Sequence, residues 1–275
     1  MSYRAIAFDM DGTLLTPDKK ISAECMAAIG EAKAAGKMVL LCSGRSPSEL
    51  REYLEILPEV RWLCTTAGAL LYDAREKKIL EMHPFDQETA EELVDLLLLS
   101  GEAAVSILIA GTQAYTAPPQ CDHVDWYLDA AFQPLFSNDM LHEPDLRKTV
   151  REHPGQILKY GSYFRSRAEK EEAAKRIRHL EDRLEITRSL GEDIECTLKG
   201  INKGTGLRDF SAHTGIPLSE IIMVGDSDND VAALKTAGLA LAMGNATQEV
   251  KEIAGAVLPD NAHDGAAWAV RKYLL

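Results

Sequence analysis

Cysteine is scarce in this sequence, and its spacing argues against two common uses. The five cysteines among 275 residues are odd in number and widely separated, and no C-x-x-C pair occurs. Neither a cysteine-based zinc site nor a disulfide framework is therefore indicated. Cys42 and Cys64 lie within apolar runs, which is typical of buried cysteines that act as small hydrophobic side chains.

Basic residues are also in the minority, and long hydrophobic runs are missing. Lys and Arg number 30 against 43 Asp and Glu, so the formal net charge is −13. Such a balance argues against nucleic acid as the main partner, because binding a phosphate backbone needs clustered cations. The N-terminus lacks the apolar stretch of a signal peptide, and no run reaches the length of a membrane span. We therefore expect a soluble, cytoplasmic protein without a membrane partner.

Two aspartates directly follow the first hydrophobic run of the chain. The run Ile6-Ala7-Phe8 predicts a short buried strand, and Asp9-Met10-Asp11-Gly12-Thr13 then predicts the turn that ends it. Two carboxylates at the carboxyl end of a strand can hold a hard divalent cation. One of them can instead act as a nucleophile while the other transfers protons. The alternative is that both aspartates only form the turn.

The chain then alternates between strands and helices. Ser22 predicts the start of a helix that ends near Gly36. The residues expected on its apolar face are Ala23, Met26, Ala27, Gly30 and Ala34. The expected strands of this half are residues 37–42, 61–66, 69–72 and 78–82, of which the last two form a hairpin. The β-α-β-α-β order predicts an α/β fold with a doubly wound parallel sheet.

A polar loop follows the second predicted strand. Ser43-Gly44-Arg45 comes first, and Ser46, Pro47 and Glu49 then predict the N-cap, first and third positions of a helix. A hydroxyl group and loop N–H groups near a helix N-terminus suit a phosphate oxygen. The alternative is that Ser43 only terminates the strand.

The middle of the chain has a different character. Asp86 predicts the cap of an amphipathic helix, and further helices are expected around residues 124–131 and 173–180. Strands are expected at residues 105–109, 157–164 and 184–187. We interpret residues 84–188 as an inserted α+β cap domain, with residues 1–83 and 189–275 forming the core. The two chain crossings between such domains favour hinge motion.

Lys203 lies at the start of a helix, where the helix dipole disfavours a cation. Its position therefore predicts an anion or carboxylates nearby that compensate the charge. The alternative is a solvated lysine, which costs a few tenths of a kcal/mol.

A second acidic cluster follows another buried strand. Ile221-Ile222-Met223-Val224 leads into Gly225-Asp226-Ser227-Asp228-Asn229-Asp230, where the carboxylates would repel one another without a cation. Alternating aspartates suggest a calcium loop of the EF-hand type. That reading fails because Val231 stands where the loop needs glycine, and Ala237 where it needs a bidentate glutamate.

Taken in order, these motifs resemble the haloacid dehalogenase (HAD) superfamily, and within it the Cof-type phosphatases with a large cap. The motifs that carry the resemblance are Asp9-Met10-Asp11-Gly12-Thr13, Ser43-Gly44-Arg45, Lys203-Gly204, Gly225-Asp226-Ser227-Asp228-Asn229-Asp230 and Ala242-Met243-Gly244-Asn245-Ala246. The resemblance implies a Rossmann-type parallel-sheet core with the cap inserted between the second and third motifs.

The resemblance also implies a phosphatase mechanism. Asp9 would attack phosphorus and form an aspartyl-phosphate, while Asp11 would protonate the leaving oxygen and then activate water. Mg²⁺ would be held by Asp9, the main-chain carbonyl of Asp11 and Asp226, with Asn229 and Asp230 supporting these ligands. Phosphoryl transfer needs such positioning and charge neutralisation above all.

The same resemblance implies that Ser43, Gly44 and Lys203 bind the substrate phosphate. The expected partner is a small phosphorylated metabolite, and cap closure would exclude water before attack. Sugar phosphates, pyridoxal phosphate, nucleotides and flavin mononucleotide all stay open as substrates, and the sequence leaves the oligomeric state open.

Two positions depart from the pattern of the family that the chain resembles. Ala67 stands where the family often has Asn, and Ala233 where it often has Met.

Three other functions stay open as alternatives. A phosphomutase of the same superfamily would use the same aspartates. A metal-dependent glycosyltransferase would leave Lys203 and the second acidic cluster unexplained. A non-enzymatic metal- or phosphate-binding regulator would bind metal without turnover.

Overall fold

The computed structural model describes residues 3–101, 104–117, 120–187 and 192–275, and all elements below belong to these residues. The strands are β1 Ala5–Phe8, β2 Met38–Cys42, β3 Trp62–Thr65, β4 Leu70–Asp73, β5 Lys78–Met82, β6 Ala104–Ala110, β7 Gln113–Thr116, β8 Leu141–His142, β9 Ile157–Phe164, β10 Leu184–Thr187, β11 Asp193–Leu198, β12 Ile221–Gly225, β13 Leu239–Ala242 and β14 Ala256–Val257. The α-helices are α1 Ala23–Ala34, α2 Arg51–Ile56, α3 Gln87–Leu98, α4 Gln133–Asn138, α5 Leu146–Glu152, α6 Arg167–Ile177, α7 Lys203–Thr214, α8 Val231–Thr236, α9 Gln248–Ile253 and α10 Gly265–Ala269.

The chain divides into two compact units. The first comprises the residues up to Gly44, Glu52–Glu81 and Asn202–Leu275, and the second comprises Arg45–Arg51 and Met82–Ile201. The second unit thus continues to Ile201, beyond residue 188 where the sequence analysis ended the insertion. The assignment of residues 84–188 as a cap and of 1–83 with 189–275 as a catalytic core stays a prediction.

The first unit is built on an eight-stranded sheet of order β14-β13-β12-β1-β2-β3-β4-β5. The strands from β14 to β3 run parallel, and β4 pairs antiparallel with β3. Every residue of β1 is fully buried, as expected for the apolar central strand of a parallel sheet. The chain order runs outward from β1 in both directions. This reversal places a switch point, where open α/β sheets bind ligands, between β1 and β12.

Helix α1 has the predicted ends but a different buried face. The Ser22 side chain accepts a hydrogen bond from the Cys25 N–H, and Gly36 adopts φ 72° just after the helix. The residues that α1 buries are Cys25, Ala28, Ile29 and Ala32. The predicted face was wrong because small apolar residues surround this helix and also repeat at three- and four-residue spacing on another side.

The predicted helix start at Ser46 is only partly correct. The Glu49 carboxylate accepts the Ser46 N–H at 2.7 Å, which is one half of a capping box. The Ser46 hydroxyl hydrogen-bonds that of Ser48 at 2.9 Å instead of capping the helix. A 3₁₀ turn, Ser48–Leu50, consequently precedes α2, which begins at Arg51.

The second unit is built on a six-stranded sheet of order β10-β11-β9-β6-β7-β8. Asp86 caps α3 as predicted by accepting the Thr89 N–H, and the buried face of α3 includes the expected Ala90 and Leu93. Strand β6 is buried on both sides, although the alternation predicted a half-buried strand. Strand β11, which pairs antiparallel with β9 and β10, was not among the predicted strands. No helix in the described part of the chain combines the length and apolar character needed to cross a membrane.

Candidate active site

Two of the predicted acidic motifs meet at the switch point of the first unit. In the register of the sheet, Phe8 at the end of β1 pairs with Val224 of β12. Asp9 follows Phe8, and its N–H donates to the Val224 carbonyl at 3.0 Å. Because the carboxyl ends of neighbouring parallel strands share one edge, Asp9 and Asp226 come close together.

The loop after β1 is shaped around the Asp226 carboxylate. Gly12 adopts φ 85°, and a Cβ at this position would lie 2.4 Å from Asp226 Oδ2. The neighbouring Thr13 hydroxyl donates to Asp226 Oδ1 at 2.9 Å. A side chain at residue 12 would therefore both strain the backbone and displace the carboxylate.

The N-terminus of α7 brings a buried cation to this edge. Asn202 caps the helix, and its side chain accepts the N–H groups of Gly204 and Thr205. The Lys203 ammonium donates to Asp9 Oδ1 and to Asp230 Oδ1, each at 2.6 Å. Carboxylates therefore compensate the lysine, as its position at the helix start predicted.

Asp230 holds the backbone of the loop that follows β12. Its side chain is fully buried, and Oδ2 accepts the backbone N–H groups of Asp226 at 3.0 Å and Ser227 at 3.2 Å. Asn229 Oδ1 accepts from Lys203 at 3.1 Å and from the Ser227 hydroxyl at 3.1 Å. Both oxygens of Asp230 are thus engaged in holding other groups of the cluster.

The buried cluster of Lys203 with Asp9, Asp226 and Asp230 carries excess negative charge. Burial raises the pKa of Asp9 well above its usual value, although Lys203 opposes this shift. Burial and the charge of Asp230 raise the pKa of Asp226 to about 6. Burial alone would lower the pKa of Lys203, but Asp230 and Asp9 raise it well above its usual value. A single ammonium group thus faces three carboxylates.

These carboxylates fit a divalent metal ion. One oxygen from each of Asp9, Asp226 and Asp230 lies within 4.8 Å of the others. Oxygen donors and surplus negative charge are what a hard cation such as Mg²⁺ requires. The close approach of Gly12 to Asp226 also keeps side-chain atoms out of this cradle.

Asp11 lies on the same loop but has a different partner. Its Oδ1 accepts a hydrogen bond from the Lys19 ammonium at 2.9 Å, and both side chains are 20% exposed. Lys19 has φ 60°, and its carbonyl accepts the Tyr53 hydroxyl at 3.1 Å. The carboxylate of Asp11 is therefore oriented by a lysine that the sequence analysis did not single out.

Ser43 and Gly44 follow β2 at the same edge of the sheet. Ser43 is buried, its N–H donates to the Cys64 carbonyl at 2.9 Å, and its carbonyl accepts the Ala67 N–H at 3.0 Å. Gly44 is half-buried. The structure thus brings Asp9, Lys203, Asp226, Asn229 and Asp230 into one hydrogen-bonded cluster and fixes the Ser43 backbone beside β3.

Two asparagines for which no role was predicted hold the loop after β1 in place. Asn245 Nδ2 donates to the Gly12 carbonyl at 2.8 Å, and Asn261 Nδ2 donates to the Leu15 carbonyl at 2.7 Å. The Asn261 N–H in turn donates to Asn245 Oδ1 at 3.1 Å. Asn245 belongs to the motif Ala242-Met243-Gly244-Asn245-Ala246, which could have indicated its role. Asn261 lies in none of the motifs, so no sequence signal indicated its role.

Ala67 occupies a backbone conformation that explains the residue usual at its position. It has φ 55° and ψ 31°, in the left-handed region. Asn adopts this region more readily than Ala, because its short polar side chain can hydrogen-bond locally. The departure noted in the sequence therefore changes backbone preference as well as polarity.

Comparisons with known proteins show the family to which the chain belongs. The family model of the haloacid dehalogenase-like hydrolases matches residues 6–270. A 5-amino-6-(5-phospho-D-ribitylamino)uracil phosphatase of Bacillus subtilis is 30% identical over 280 residues, covering 100% of this chain and 97% of the relative. The pyridoxal phosphate phosphatase YbhA of Escherichia coli is 27% identical over 282 residues, covering 100% of both chains.

Solved structures show the same fold. A haloacid dehalogenase-like hydrolase from B. subtilis superimposes with a TM-score of 0.86 at 24% identity, covering 98% of this chain and 99% of that one. The chain therefore belongs to the haloacid dehalogenase-like hydrolases and is a phosphatase of that superfamily.

Proposed function

We propose that this enzyme hydrolyses small phosphate monoesters with Mg²⁺ through an aspartyl-phosphate intermediate. The observation that carries the proposal is the buried cluster in which Lys203 bridges Asp9 and Asp230 beside Asp226. One lysine leaves the carboxylates with surplus negative charge, which suits a site that takes up a cation together with a phosphate.

In the proposed first step, a carboxylate oxygen of Asp9 attacks phosphorus and the ester P–O bond breaks. Asp11 donates a proton to the leaving oxygen, so the product leaves as an alcohol. In the second step, the Asp11 carboxylate accepts a proton from water, whose oxygen attacks phosphorus. The bond from Asp9 to phosphorus then breaks, and inorganic phosphate is released.

Asp9, the main-chain carbonyl of Asp11 and Asp226 would hold the metal, supported by Asn229 and Asp230. Mg²⁺ would neutralise phosphoryl charge and orient the reacting groups. Lys203 would also neutralise a phosphoryl oxygen; its ammonium is already fixed by Asp9 and Asp230 at 2.6 Å each.

Ser43 and Gly44 would contribute a hydroxyl and loop N–H groups to the phosphate. Their position after β2, which pairs with the strand that precedes Asp9, supports this role. The net charge of −13 favours a small phosphorylated metabolite over nucleic acid.

The names of two relatives support a substrate class. Two of them are named for a ribitylaminouracil phosphate and for pyridoxal phosphate, both small phosphorylated metabolites. We propose the same class here. A phosphomutase of the superfamily would return the phosphoryl group to a sugar and produce a bisphosphate, which distinguishes it from a phosphatase.

The test is phosphate release from a panel of small monoesters, including pyridoxal 5′-phosphate and sugar phosphates, with Mg²⁺ and with EDTA. Asp9→Asn runs beside the wild type. We expect release that requires Mg²⁺ and falls by at least about 10³-fold in the variant. Release that persists in Asp9→Asn would contradict the aspartyl-phosphate mechanism. Tight Mg²⁺ binding without any release would favour a mutase or a regulator.

A further inference from the structure

Thr66 has an unusual backbone conformation at the carboxyl end of β3. Its φ is 56°, in the left-handed region, and its side chain is fully buried. A β-branched residue is rarely found there, because its side chain crowds the backbone. Strained residues of this kind persist where the surrounding structure holds them, and they cluster at binding and catalytic sites.

The Thr66 hydroxyl has a second unusual property. Among the residues that the structure describes, none accepts from or donates to this buried oxygen. Buried hydroxyl groups nearly always have a partner, since losing water without gaining a hydrogen bond is unfavourable. The strain and the unsatisfied hydroxyl are independent observations about one side chain.

The backbone around Thr66 connects it to the active-site edge. Cys42 and Cys64 are paired in the register of β2 and β3. The Ser43 N–H donates to the Cys64 carbonyl at 2.9 Å, and the Ala67 N–H donates to the Ser43 carbonyl at 3.0 Å. Thr66 therefore lies beside Ser43, at the edge of the sheet that carries Asp9.

We infer that the Thr66 hydroxyl is a substrate-binding group that hydrogen-bonds an oxygen of the phosphorylated substrate. The inference rests on the proposed function and extends it to a residue outside the motifs. A substrate oxygen would satisfy the buried hydroxyl, and this accounts for a strained threonine at the position. The oxygen belongs either to the phosphoryl group or to the leaving group.

The preceding residue provides a matched control. Thr65 is also fully buried, but its backbone is extended and its hydroxyl donates to the Leu70 carbonyl at 3.5 Å. Replacing Thr65 by valine removes a satisfied hydroxyl, whereas the same change at Thr66 removes an unsatisfied one. The two variants therefore differ in what the hydroxyl does, while the chemical change is the same.

The experiment compares Thr66→Val, Thr66→Ser and Thr65→Val with the wild type. Thr66→Ala serves as a second hydroxyl-free variant, and it relieves the β-branched strain. Isothermal titration with inorganic phosphate in the presence of Mg²⁺ measures binding without turnover. Steady-state kinetics then compare ribose 5-phosphate with p-nitrophenyl phosphate, whose leaving group has no hydroxyl. Thermal unfolding reports the stability of each variant.

If the hydroxyl contacts the phosphoryl group, both hydroxyl-free variants at 66 weaken phosphate binding by about 10-fold or more. If it contacts the leaving group, phosphate binding is unchanged and the kcat/KM ratio for ribose 5-phosphate over p-nitrophenyl phosphate falls by a similar factor. In both cases Thr66→Ser, which keeps the hydroxyl, retains the wild-type phosphate affinity and kcat/KM ratio. Thr66→Val unfolds at or above the unfolding temperature of the wild type.

The inference is overturned if the variants at 66 match the wild type in phosphate affinity and in the kcat/KM ratio of the two substrates. It is also overturned if Thr65→Val lowers either quantity as much as Thr66→Val does. A wild type that binds phosphate but releases none from any ester contradicts the proposed function instead. The titration then still shows whether Thr66 contacts the phosphoryl group.

Discussion

Each unit of this protein buries a lysine against carboxylate, and the two arrangements differ. In the first unit, the Lys203 ammonium donates to Asp9, Asp230 and Asn229 within a group of three carboxylates. In the second unit, the Lys159 ammonium donates to Glu195 at 2.6 Å, and the Tyr163 hydroxyl donates to the same oxygen at 2.9 Å. Both lysine side chains are almost inaccessible, at 0% and 6% exposure.

The difference lies in how the charges are matched. Lys159 and Glu195 form a buried ion pair, and the Tyr163 hydroxyl donates to the same carboxylate oxygen as Lys159. Lys203 leaves surplus negative charge, and burial together with the neighbouring carboxylates raises the pKa of Asp9 and of Asp226. A buried ion pair can serve packing alone, whereas the three carboxylates around Lys203 fit a site that takes up a further cation.

Backbone strain follows the same division. The described residues other than glycine with positive φ are Lys19, Thr66, Ala67, Lys77 and Asp264, and all belong to the first unit. Three of them lie on the loops after β1 and β3, where the candidate site is built. Strain of this kind is common at functional sites, so backbone conformation and charge both point to the first unit.

Exchanging each lysine for methionine gives the largest expected effects and tests the comparison directly. Both variants break a buried pair, and we expect each to lose about 3–5 kcal/mol in the free energy of unfolding. Only Lys203→Met should also abolish phosphate release, and only there should Mg²⁺ restore part of the stability. Urea unfolding with and without Mg²⁺, together with phosphate release, measures these differences. Equal loss of kcat in both variants would remove the distinction between the two lysines.

The next effect concerns pH, because protons and the metal ion should compete for the carboxylates of Asp9 and Asp226. Burial raises the pKa of Asp226 to about 6, so in the metal-free protein this group favours folding when protonated. Its contribution is full below about pH 4 and is lost as pH rises through about 6, a change on the order of 2–3 kcal/mol. Asp9 acts in the same direction.

Bound Mg²⁺ should reverse this dependence, since it requires the ionised carboxylates. We expect Mg²⁺ affinity to fall below about pH 6, measured by titration calorimetry between pH 5 and pH 8. The stability of the metal-free protein should decrease over the window from about pH 4 to pH 6. Mg²⁺ affinity that does not vary across this range would contradict the assignment of the surplus charge to a metal site.

Lys19 offers an intermediate case, because its pair with Asp11 is partly exposed. Lys19→Met should lower kcat by about tenfold for alkyl phosphates, whose leaving oxygen needs a proton from a well-oriented Asp11. The effect on p-nitrophenyl phosphate should be small, since its leaving group departs without protonation. Lys20→Met is the control, because Lys20 is exposed and pairs with Asp18 at 3.0 Å. A uniform loss for both esters would indicate a structural role only.

The smallest effect tests the strain at the edge of the first unit. Ala67→Asn places a residue that tolerates left-handed backbone at φ 55°, and it should raise the free energy of unfolding by about 0.5–1 kcal/mol. Chemical denaturation of the variant and the wild type measures the change. Ala67→Gly should show relief of the same strain, partly offset by the greater freedom of the unfolded chain. Destabilisation by both substitutions would show that the methyl group of Ala67 is needed for packing.

The sequence predicted the central part of this fold because local and global signals agree there. The apolar run before Asp9 forms a fully buried strand, and the parallel pairing of β1, β2, β3 and β12 follows from the alternation of strands and helices. The position of Lys203 at a helix start predicted compensating carboxylates, and Asp9 with Asp230 supplies them. In each case a strong local pattern had a single consistent solution.

Other features depend on contacts between distant residues, which a sequence pattern does not specify. The buried side of α1 depends on which of two apolar faces meets the core. Lys19, Asn245 and Asn261 act on the loop after β1 through hydrogen bonds whose partners are set only by the folded chain. Strand β11 was missed because its polar residues Asp193, Glu195 and Thr197 are buried in the second unit.

The most direct test of the central claim is to detect the phosphoryl group on Asp9. Asp11→Asn is mixed with Mg²⁺ and p-nitrophenyl phosphate, whose leaving group departs without a proton from Asp11, and the mixture is quenched in acid and analysed by mass spectrometry after proteolysis. Since this variant lacks the group that activates water, the aspartyl-phosphate should accumulate. The account predicts a phosphorylated peptide that contains Asp9. This peptide should be absent from the double variant that carries both Asp11→Asn and Asp9→Asn. Wild-type turnover with a phosphoryl group on another residue, or on none, would contradict it.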